Sequence, residues 1–405
     1  MQNQSSGHKP HIVAIMLIAS LGPVNLTILS PSLAAIAHEL DAPYAQVQLL
    51  LSGYMALTAV LQLAIGPLSD RFGRRPVLLG SLAIFLAGTL VCIFATSISV
   101  LLAGRMVQAT AIGGLVLSRA IVSDTVPPVK AASILSYISM GMTLGPMLAP
   151  VGGGFLASLY GWHSSFVVIL VFGAIVTLTS ILTLSETHHQ PVRSMAAQVR
   201  SWPYLLTNRR FWGYTLAATF GSGAYFTFLG GAPYVGFTLL HVSQSELGYL
   251  FAFVSIGYVG GSFVSGRFAQ AWGPIAMMMA GSLTVLAACL LPILLFQAGQ
   301  GGPASFFIPM MLMGFGNGMA LPSANAGAVS ARPDLAGSAS GLSGAVNIGG
   351  GALLSISGGF VLSPTSGPTP LLLVMALSAL LCFLATLYVR RLDRIEGDDG
   401  ERQMA

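Results

Sequence analysis

The chain has 405 residues, of which only 7% are charged (17 Lys and Arg, 12 Asp and Glu), while 54% are hydrophobic and 48 are Gly. A soluble domain carries roughly 25% charged residues to cover its wetted surface, so a water-soluble globule is excluded. The high hydrophobicity equally excludes a disordered chain. Lipid is the solvent that fits.

About 20 apolar residues cross the hydrocarbon core as a helix. Twelve such runs follow one another, at 12–37, 44–67, 76–96, 99–123, 131–157, 164–185, 211–237, 246–266, 274–297, 304–328, 336–361 and 370–389. Turn residues interrupt them, as at 38–43, Pro127-Pro128 and 299–303. The first run ends in Ala35-Ile36-Ala37, which looks like a signal-peptide cleavage site, but it is too long for a signal's apolar region and contains Pro23 and Pro31, so it is expected to stay. Cys92, Cys289 and Cys382 lie apart inside apolar runs, with no metal-ligand spacing. They predict neither a disulfide framework nor a zinc site, and no metal or cofactor is implied.

The net charge of +5 is no nucleic-acid signal; its information lies in position. With the N-terminus inside, the inner segments hold Lys9, Arg71, Arg74, Arg75, Lys130, Arg193, Arg200, Arg209, Arg210, Arg267, Arg332, Arg390, Arg391, Arg394 and Arg402, fifteen of the 17 cations, and the outer loops hold none. Arg105 and Arg119 lie within the fourth span. Twelve spans with both termini cytoplasmic follow, since a miscounted span would scatter these charges over both faces. Trp162, Trp202, Trp212 and Trp272 all fall at predicted span ends, as an interfacial belt requires.

The longest polar stretch divides six spans from six. The expected units are a bundle over 1–187, a cytoplasmic loop over 188–210, a second bundle over 211–391 and a cytoplasmic tail over 392–405. At an offset of 200, Gly66, Phe72 and Gly73 meet Gly266, Trp272 and Gly273; at 205, Gly145 and Gly153-Gly154-Phe155 meet Gly350 and Gly358-Gly359-Phe360. Parallel repeats are a transporter plan. The predicted fold is all-α and membrane-integral: two pseudo-symmetric six-helix bundles about an axis along the membrane normal, with a polar cavity between them.

The most specific string, Gly66-Pro-Leu-Ser-Asp70-Arg71-Phe-Gly73-Arg74-Arg75-Pro76, lies between spans two and three. It resembles the G-x-L-a-D-r-x-G-r-r signature of the major facilitator superfamily. Arg105-x-x-Gln108, Arg119-Ala-Ile-Val-Ser-Asp124 and Gly145-Pro146-x-x-x-Pro150-x-Gly152-Gly153 are similar to motifs of its twelve-span drug:proton antiporters, of the bicyclomycin/chloramphenicol-resistance (Bcr/CflA) type. The resemblance covers nearly the whole chain. It implies a secondary transporter of the bacterial inner membrane that exports drug-like compounds by alternating access, acting as a monomer in lipid with a small-molecule substrate and protons as partners.

Asp70, Arg71, Arg74 and Asp124, with Gly66, Gly73 and Arg119, form the expected cytoplasmic gate, a charge latch that breaks when the bundles rock apart. A charge within a span costs roughly 2.5–3.5 kcal/mol on insertion scales, so Arg105 is expected to face a cavity or a partner. Gln108 and Arg119 share its helical stripe, which is expected to line the cavity. The resemblance gives Gly145, Pro146, Pro150, Gly152 and Gly153 the task of sealing the bundles together in one state. Aromatic and neutral polar residues suit a cavity for bulky apolar compounds: Asn25 and Thr27 in span one, Tyr54, Tyr137, Tyr225, Phe228, Asn317 and Asn347.

Proton exchange needs a titrating group inside the protein, yet none of the 12 acidic residues lies at mid-membrane. Asn25 and Thr27 stand where related exporters often carry a carboxylate. Asp124 is the first candidate carrier and Asp70 the second. An importer or facilitator of a small metabolite with no proton step is the rival reading. An ATP-driven pump would need Gly-Lys-Ser/Thr, but Lys9 and Lys130 follow His8 and Val129. Gly341-Leu342-Ser343-Gly344 spells an intramembrane protease motif, but no histidine follows His241 to act as its base. An enzyme is therefore not expected, and a receptor would not require the inner latch or the span-five motif.

Overall fold

Long apolar runs joined by short turns can satisfy their backbone groups in lipid only as helices. The computed structural model describes residues 12–125, 145–146, 148–187, 203–332, 335–363 and 366–404, and these residues are helical with short connections. The helices are α1 (Ile12–Thr27), α2 (Leu33–Glu39), α3 (Tyr44–Phe72), α4 (Arg74–Ile93), α5 (Ile98–Gln108), α6 (Ile112–Thr125) and α7 (Leu148–Tyr160). There follow α8 (His163–Thr183), α9 (Arg209–Tyr234), α10 (Gln244–Trp272), α11 (Pro274–Gln297), α12 (Pro303–Ser330), α13 (Ala336–Phe360) and α14 (Thr369–Met404).

The first span is α1 and α2, broken at the 3-10 turn Ser30–Ser32, where Pro31 removes a backbone donor. The fourth is α5 and α6, joined by the tighter turn Ala109–Ala111. Among the described residues, ten helical segments are long and apolar enough to cross a membrane. The fifth span is represented by α7, since 126–144 lie outside the described residues. The seventh, α9, runs for 26 residues but carries many Gly, Ser, Thr and Tyr. Its side chains are buried almost all round, so protein rather than lipid surrounds it and high hydropathy is unnecessary. Conversely, α8 exposes Val167, Val171, Ile175, Leu178 and Leu182 along one face, an apolar stripe that lipid covers.

The largest core cluster is centred on the second half and reaches Leu51, Tyr54 and Met55 of α3, and another lies within the first half. Ile15, Ile18, Leu82, Phe85, Leu117 and Ile169 pack together in the first half; Phe228, Phe251, Phe306, Phe307, Met310 and Leu372 do so in the second. The halves repeat one plan. Gly73 (φ 94°) ends α3 and starts α4, and Gly273 (φ 83°) ends α10 and starts α11, each with a positive φ that favours glycine. A Cβ on Gly145 would meet Val24 of α1, and one on Gly350 would meet Thr219 of α9; Gly153 lies against Ile28 and Gly358 against Thr227. Gly154 and Gly359 turn instead to the opposite bundle, toward Gly248 and Gln48. The offsets read from the sequence are thus matched by spatial neighbours.

Of the tryptophans, Trp272 is exposed and stacks on Phe268 with centroids 5.0 Å apart, as a belt residue would. Trp162 departs from that expectation: it is buried, stacked on His163 and edge-on to Phe166.

Candidate functional site

A central cavity of about 200 Å³ lies where the fifth span meets the second bundle. Pro146 closes one side; Ser222, Tyr225 and Phe226 come from α9, Val254, Ser255 and Tyr258 from α10, and Gly314, Asn317 and Leu321 from α12. Its wall is mostly apolar and aromatic. Asn317 is 2% exposed and its Oδ1 has no hydrogen-bond partner, so an unsatisfied acceptor lies beside the cavity. Ser222 donates to Asn347 Oδ1 at 2.7 Å, which ties α13 to this wall. Drug-sized ligands occupy pockets of roughly 300–1,000 Å³, so a larger substrate requires the two bundles to part.

Arg105 does not line this cavity. It is 1% exposed and folded into the first bundle. Its Nε donates to Leu50 O at 3.0 Å, and Nη1 donates to Asn25 Oδ1 at 3.0 Å and Gln108 Oε1 at 2.8 Å. The guanidinium lies over the Tyr54 ring, 4.5 Å from its centroid. Gln108 Nε2 in turn donates to Thr89 Oγ1 at 2.8 Å. Hydrogen bonds to a charged group contribute about 1.5–3 kcal/mol each, so three of them outweigh the insertion cost of about 2.5–3.5 kcal/mol. The charge is held by carbonyls and an aromatic face, which corrects the expectation of a cavity-facing stripe. Arg105 Nη2 and Asn25 Nδ2 are left without partners.

At the arginine-rich end, Arg74 is the hub. Its Nη1 meets Asp70 Oδ1 at 2.5 Å and its Nε meets Asp124 Oδ2 at 3.0 Å. Glu186, just past α8, accepts from the backbone N–H of Arg74 (3.0 Å) and Arg75 (3.2 Å), so a carboxylate sits on the exposed donors that open α4. Gly73 makes room for it: a Cβ there would lie 2.5 Å from Glu186 Oε2. Arg71 stands apart, its guanidinium over Phe72 at 5.2 Å. Gly66 faces open space, and Arg119 is exposed on α6. The contacts of Arg74 and Arg75 with Asp70, Asp124 and Glu186 join elements of the first bundle and brace it.

The bundles meet along two seams. On one, Gly154 and Gly248 bring α7 and α10 together; a Cβ on Gly154 would lie 2.7 Å from Gln244 O and 3.0 Å from Gly248 Cα. On the other, α3 runs antiparallel to α13. Gln48 Nε2 donates to Ser355 O at 2.6 Å, Ala59 faces Gly349, and Gln62 Nε2 reaches Gly341 O at 3.5 Å. Beyond the seams, at the end opposite the arginines, Ser30 donates to Leu229 O at 2.6 Å, Tyr44 donates to Gly230 O at 2.5 Å, and the rings of Tyr44 and Tyr234 lie 4.9 Å apart. That end is held shut. Toward the arginine-rich end, Gly66 and Gly341 find nothing within 4 Å for an added Cβ.

Paired repeats, a gate loop and a cavity between bundles define a transporter plan, and comparison with known proteins decides which. The Major Facilitator Superfamily profile matches residues 15–342 and 233–403. The chain belongs to the major facilitator superfamily. Among similar facilitators, the multidrug resistance protein D of Escherichia coli (strain K12) is 30% identical over 380 residues, covering 93% of this chain and 94% of that one. An uncharacterized MFS-type transporter, YdgK, of Bacillus subtilis (strain 168) is 32% identical over 364 residues, 88% of this chain and 90% of its own. The bicyclomycin resistance protein homolog of Haemophilus influenzae is 28% identical over 365 residues, 87% and 89%. Among solved structures, a D-xylose-proton symporter has a TM-score of 0.74 at 14% identity, covering 93% of this chain and 96% of that one. A bacterial homolog of the human lysosomal transporter Spinster, inward-facing and unoccupied, gives 0.71 at 20% identity, covering 93% and 95%. These two carry the fold alone. The facilitator is a multi-span membrane transporter, not an enzyme.

Of the residues expected at the facilitator's cavity, Tyr225 and Asn317 line it, and Asn347 touches it through Ser222. Thr27 donates to Pro146 O at 3.1 Å behind the cavity wall. Asn25, Tyr54 and Gln108 belong to the Arg105 cluster. Phe228 is corrected: it is wholly buried among Phe251, Phe306 and Phe307. Tyr137 lies outside the described residues. In the span-five motif Gly145 and Gly153 seat α1, Pro150 O lies against Gly248, and Gly152 faces nothing within 4 Å. Successive helical residues turn about 100°, so the seam falls to Gly154. Gln48, Gln62, Glu186, Phe226, Ser255 and Tyr258 were not anticipated. Ser255 and Tyr258, three apart on one helix face, carried a readable polar signal; Glu186 carried none.

Proposed function

We propose that this facilitator exports drug-like, amphipathic organic compounds across the bacterial inner membrane by alternating access, as a monomer with both termini cytoplasmic, in exchange for inward protons. The observation that carries this reading is the cavity itself: aromatic walls from Tyr225, Phe226 and Tyr258, with a few neutral polar groups from Ser222, Ser255 and Asn317 and no charged side chain in the lining. Such a site accepts apolar bulk and offers few polar contacts, which suits varied amphipathic compounds better than a sugar bristling with hydroxyls. The names of the relatives, multidrug and bicyclomycin resistance, favour the same class.

With the arginine-rich end inside, the end held by Ser30, Tyr44 and Gln48 is the outer one, and the conformation is closed to the outside. Substrate enters from the cytoplasm or the inner leaflet, the seams shift, and the outer contacts part. Asp124, paired with Arg74 and one-quarter exposed, is the proton carrier on this reading, with Asp70 second. Protonation of Asp124 weakens its hold on Arg74 and loosens the brace at the inner end.

The test is dye or drug efflux from proteoliposomes with and without an imposed pH gradient, on wild type and Asp124→Asn. Gradient-stimulated efflux in wild type that is lost in Asp124→Asn supports the reading. Equal efflux in all four conditions removes the proton step and leaves the facilitator alternative.

A further inference from the structure

A second cavity, of about 580 Å³, opens at the arginine-rich end between the start of α11 and the end of α14, lined by Ile275, Ala276, Met279, Arg390, Asp393 and Arg394. Neither the transport cycle nor the gate uses it. Asp393 is already engaged, pairing with Arg210 at 2.6 Å. Arg390 reaches only the Met279 sulfur, at 3.7 Å, and neither Arg390 nor Arg394 forms an ion pair among the described residues. Arg209, Arg267 and Arg391 lie at the same end of the molecule and add to the positive field. The cavity thus joins an apolar wall, Ile275 and Met279 one turn apart, to two uncompensated cations where helices leave the membrane.

The first half shows what belongs there. At the equivalent start of α4, Glu186 sets carboxylate oxygens 3.0 and 3.2 Å from two backbone N–H groups. Glu186 follows the sixth span; its counterpart stretch follows the twelfth, and there the chain offers Arg390, Arg391 and Arg394 instead. The second half has a space and cations where the first has a built-in anion.

We infer that this cavity binds an anionic phospholipid of the inner leaflet, its headgroup phosphate between Arg390 and Arg394 and its acyl chains along Ile275 and Met279. A basic pocket between helices on the cytoplasmic side is the form such sites take. The phosphate lies near the place in the second bundle that Glu186 holds in the first, but the Arg390 and Arg394 side chains hold it, since Pro274 at the start of α11 has no backbone N–H to offer.

The test is retention of phosphatidylglycerol against phosphatidylcholine by the detergent-purified full chain, read by native mass spectrometry. Wild type is expected to prefer phosphatidylglycerol. Arg390→Gln and Arg394→Gln should each lower that preference about five-fold and together about 25-fold. The paired Arg→Lys variants, which keep the charge, should retain it, and Arg391→Gln, outside the cavity lining, should lower it less than either cavity variant does. Equal retention of the two lipids overturns the inference, as does an undiminished preference in the double Gln variant. Displacement of the lipid by inorganic phosphate at equal concentration would also overturn it, since the site would then serve a soluble anion. Deleting the acidic tail after Ile395 should not lower the preference; a large rise on deletion would make the tail the native occupant and contradict the lipid assignment.

Discussion

Gly154 of α7 and Gly359 of α13 hold equivalent places in the two halves, and each is where its helix touches the opposite bundle. The first meets Gly248 backbone to backbone, whereas the second receives the Gln48 amide. Close approach through small residues is what allows helices to associate tightly in lipid, where the hydrophobic effect gives no drive. Both seams are therefore sensitive to volume.

Gly154→Leu should stall the cycle. Its Cβ would press on the backbone at Gln244 and Gly248, which cannot swing away. Overpacking costs about 1–3 kcal/mol, enough to reduce the outward-closed population about 5- to 150-fold. Gly152→Leu, with open space around it, should transport normally. Efflux assays on both variants at matched membrane abundance check this; equal loss in both would show that the whole segment, not the seam, is at issue.

The Arg105 cluster should behave as one unit. Asn25→Leu or Gln108→Leu leaves buried polar groups unpaired, at about 1–3 kcal/mol each, and the double variant should fall well short of the sum. Thermal unfolding in detergent reads this. Arg105→Ala should abolish export while the protein still reaches the membrane, because the four helices it ties then lose their fixed spacing.

Arg74 and Arg71, three residues apart in one motif, should differ. Arg74→Ala removes the partner of both Asp70 and Asp124, whereas Arg71→Ala removes only a contact with Phe72. Turnover should drop sharply in the first and little in the second. Asp70→Asn should also slow the cycle.

Glu186→Ala should cost about 1 kcal/mol of stability through the uncovered start of α4, seen as a lowered unfolding temperature. Glu186→Gln, still able to accept, should lose less. No change in either would remove Glu186 from the brace.

What was legible in the sequence was periodic or local. Span count, the Gly73 and Gly273 turns and the half-to-half offsets all follow from composition and spacing along the chain. Glu186 escaped because it lies 112 residues from Arg74 and only the fold brings them together. Arg105 announced a polar environment, but whether that was a cavity or a network depended on Asn25, Leu50, Tyr54 and Thr89, from three other spans. Gly152 was assigned from its place in the family motif, and a run of three glycines does not reveal how its helix is rotated, so Gly154 was passed over. Phe228 looked like a cavity aromatic because lipid, core and ligand all call for the same side chain.

Two-sided access to the cavity is the most direct test of alternating access. Ser255 lines it, and the native Cys92, Cys289 and Cys382 are all buried, so Ser255→Cys gives a nearly silent background. In transporting vesicles this thiol should react with a membrane-impermeant reagent added on either side, with substrate or the pH gradient shifting the balance of the two rates. Labelling from one side alone, at a rate that neither substrate nor gradient changes, would contradict the account.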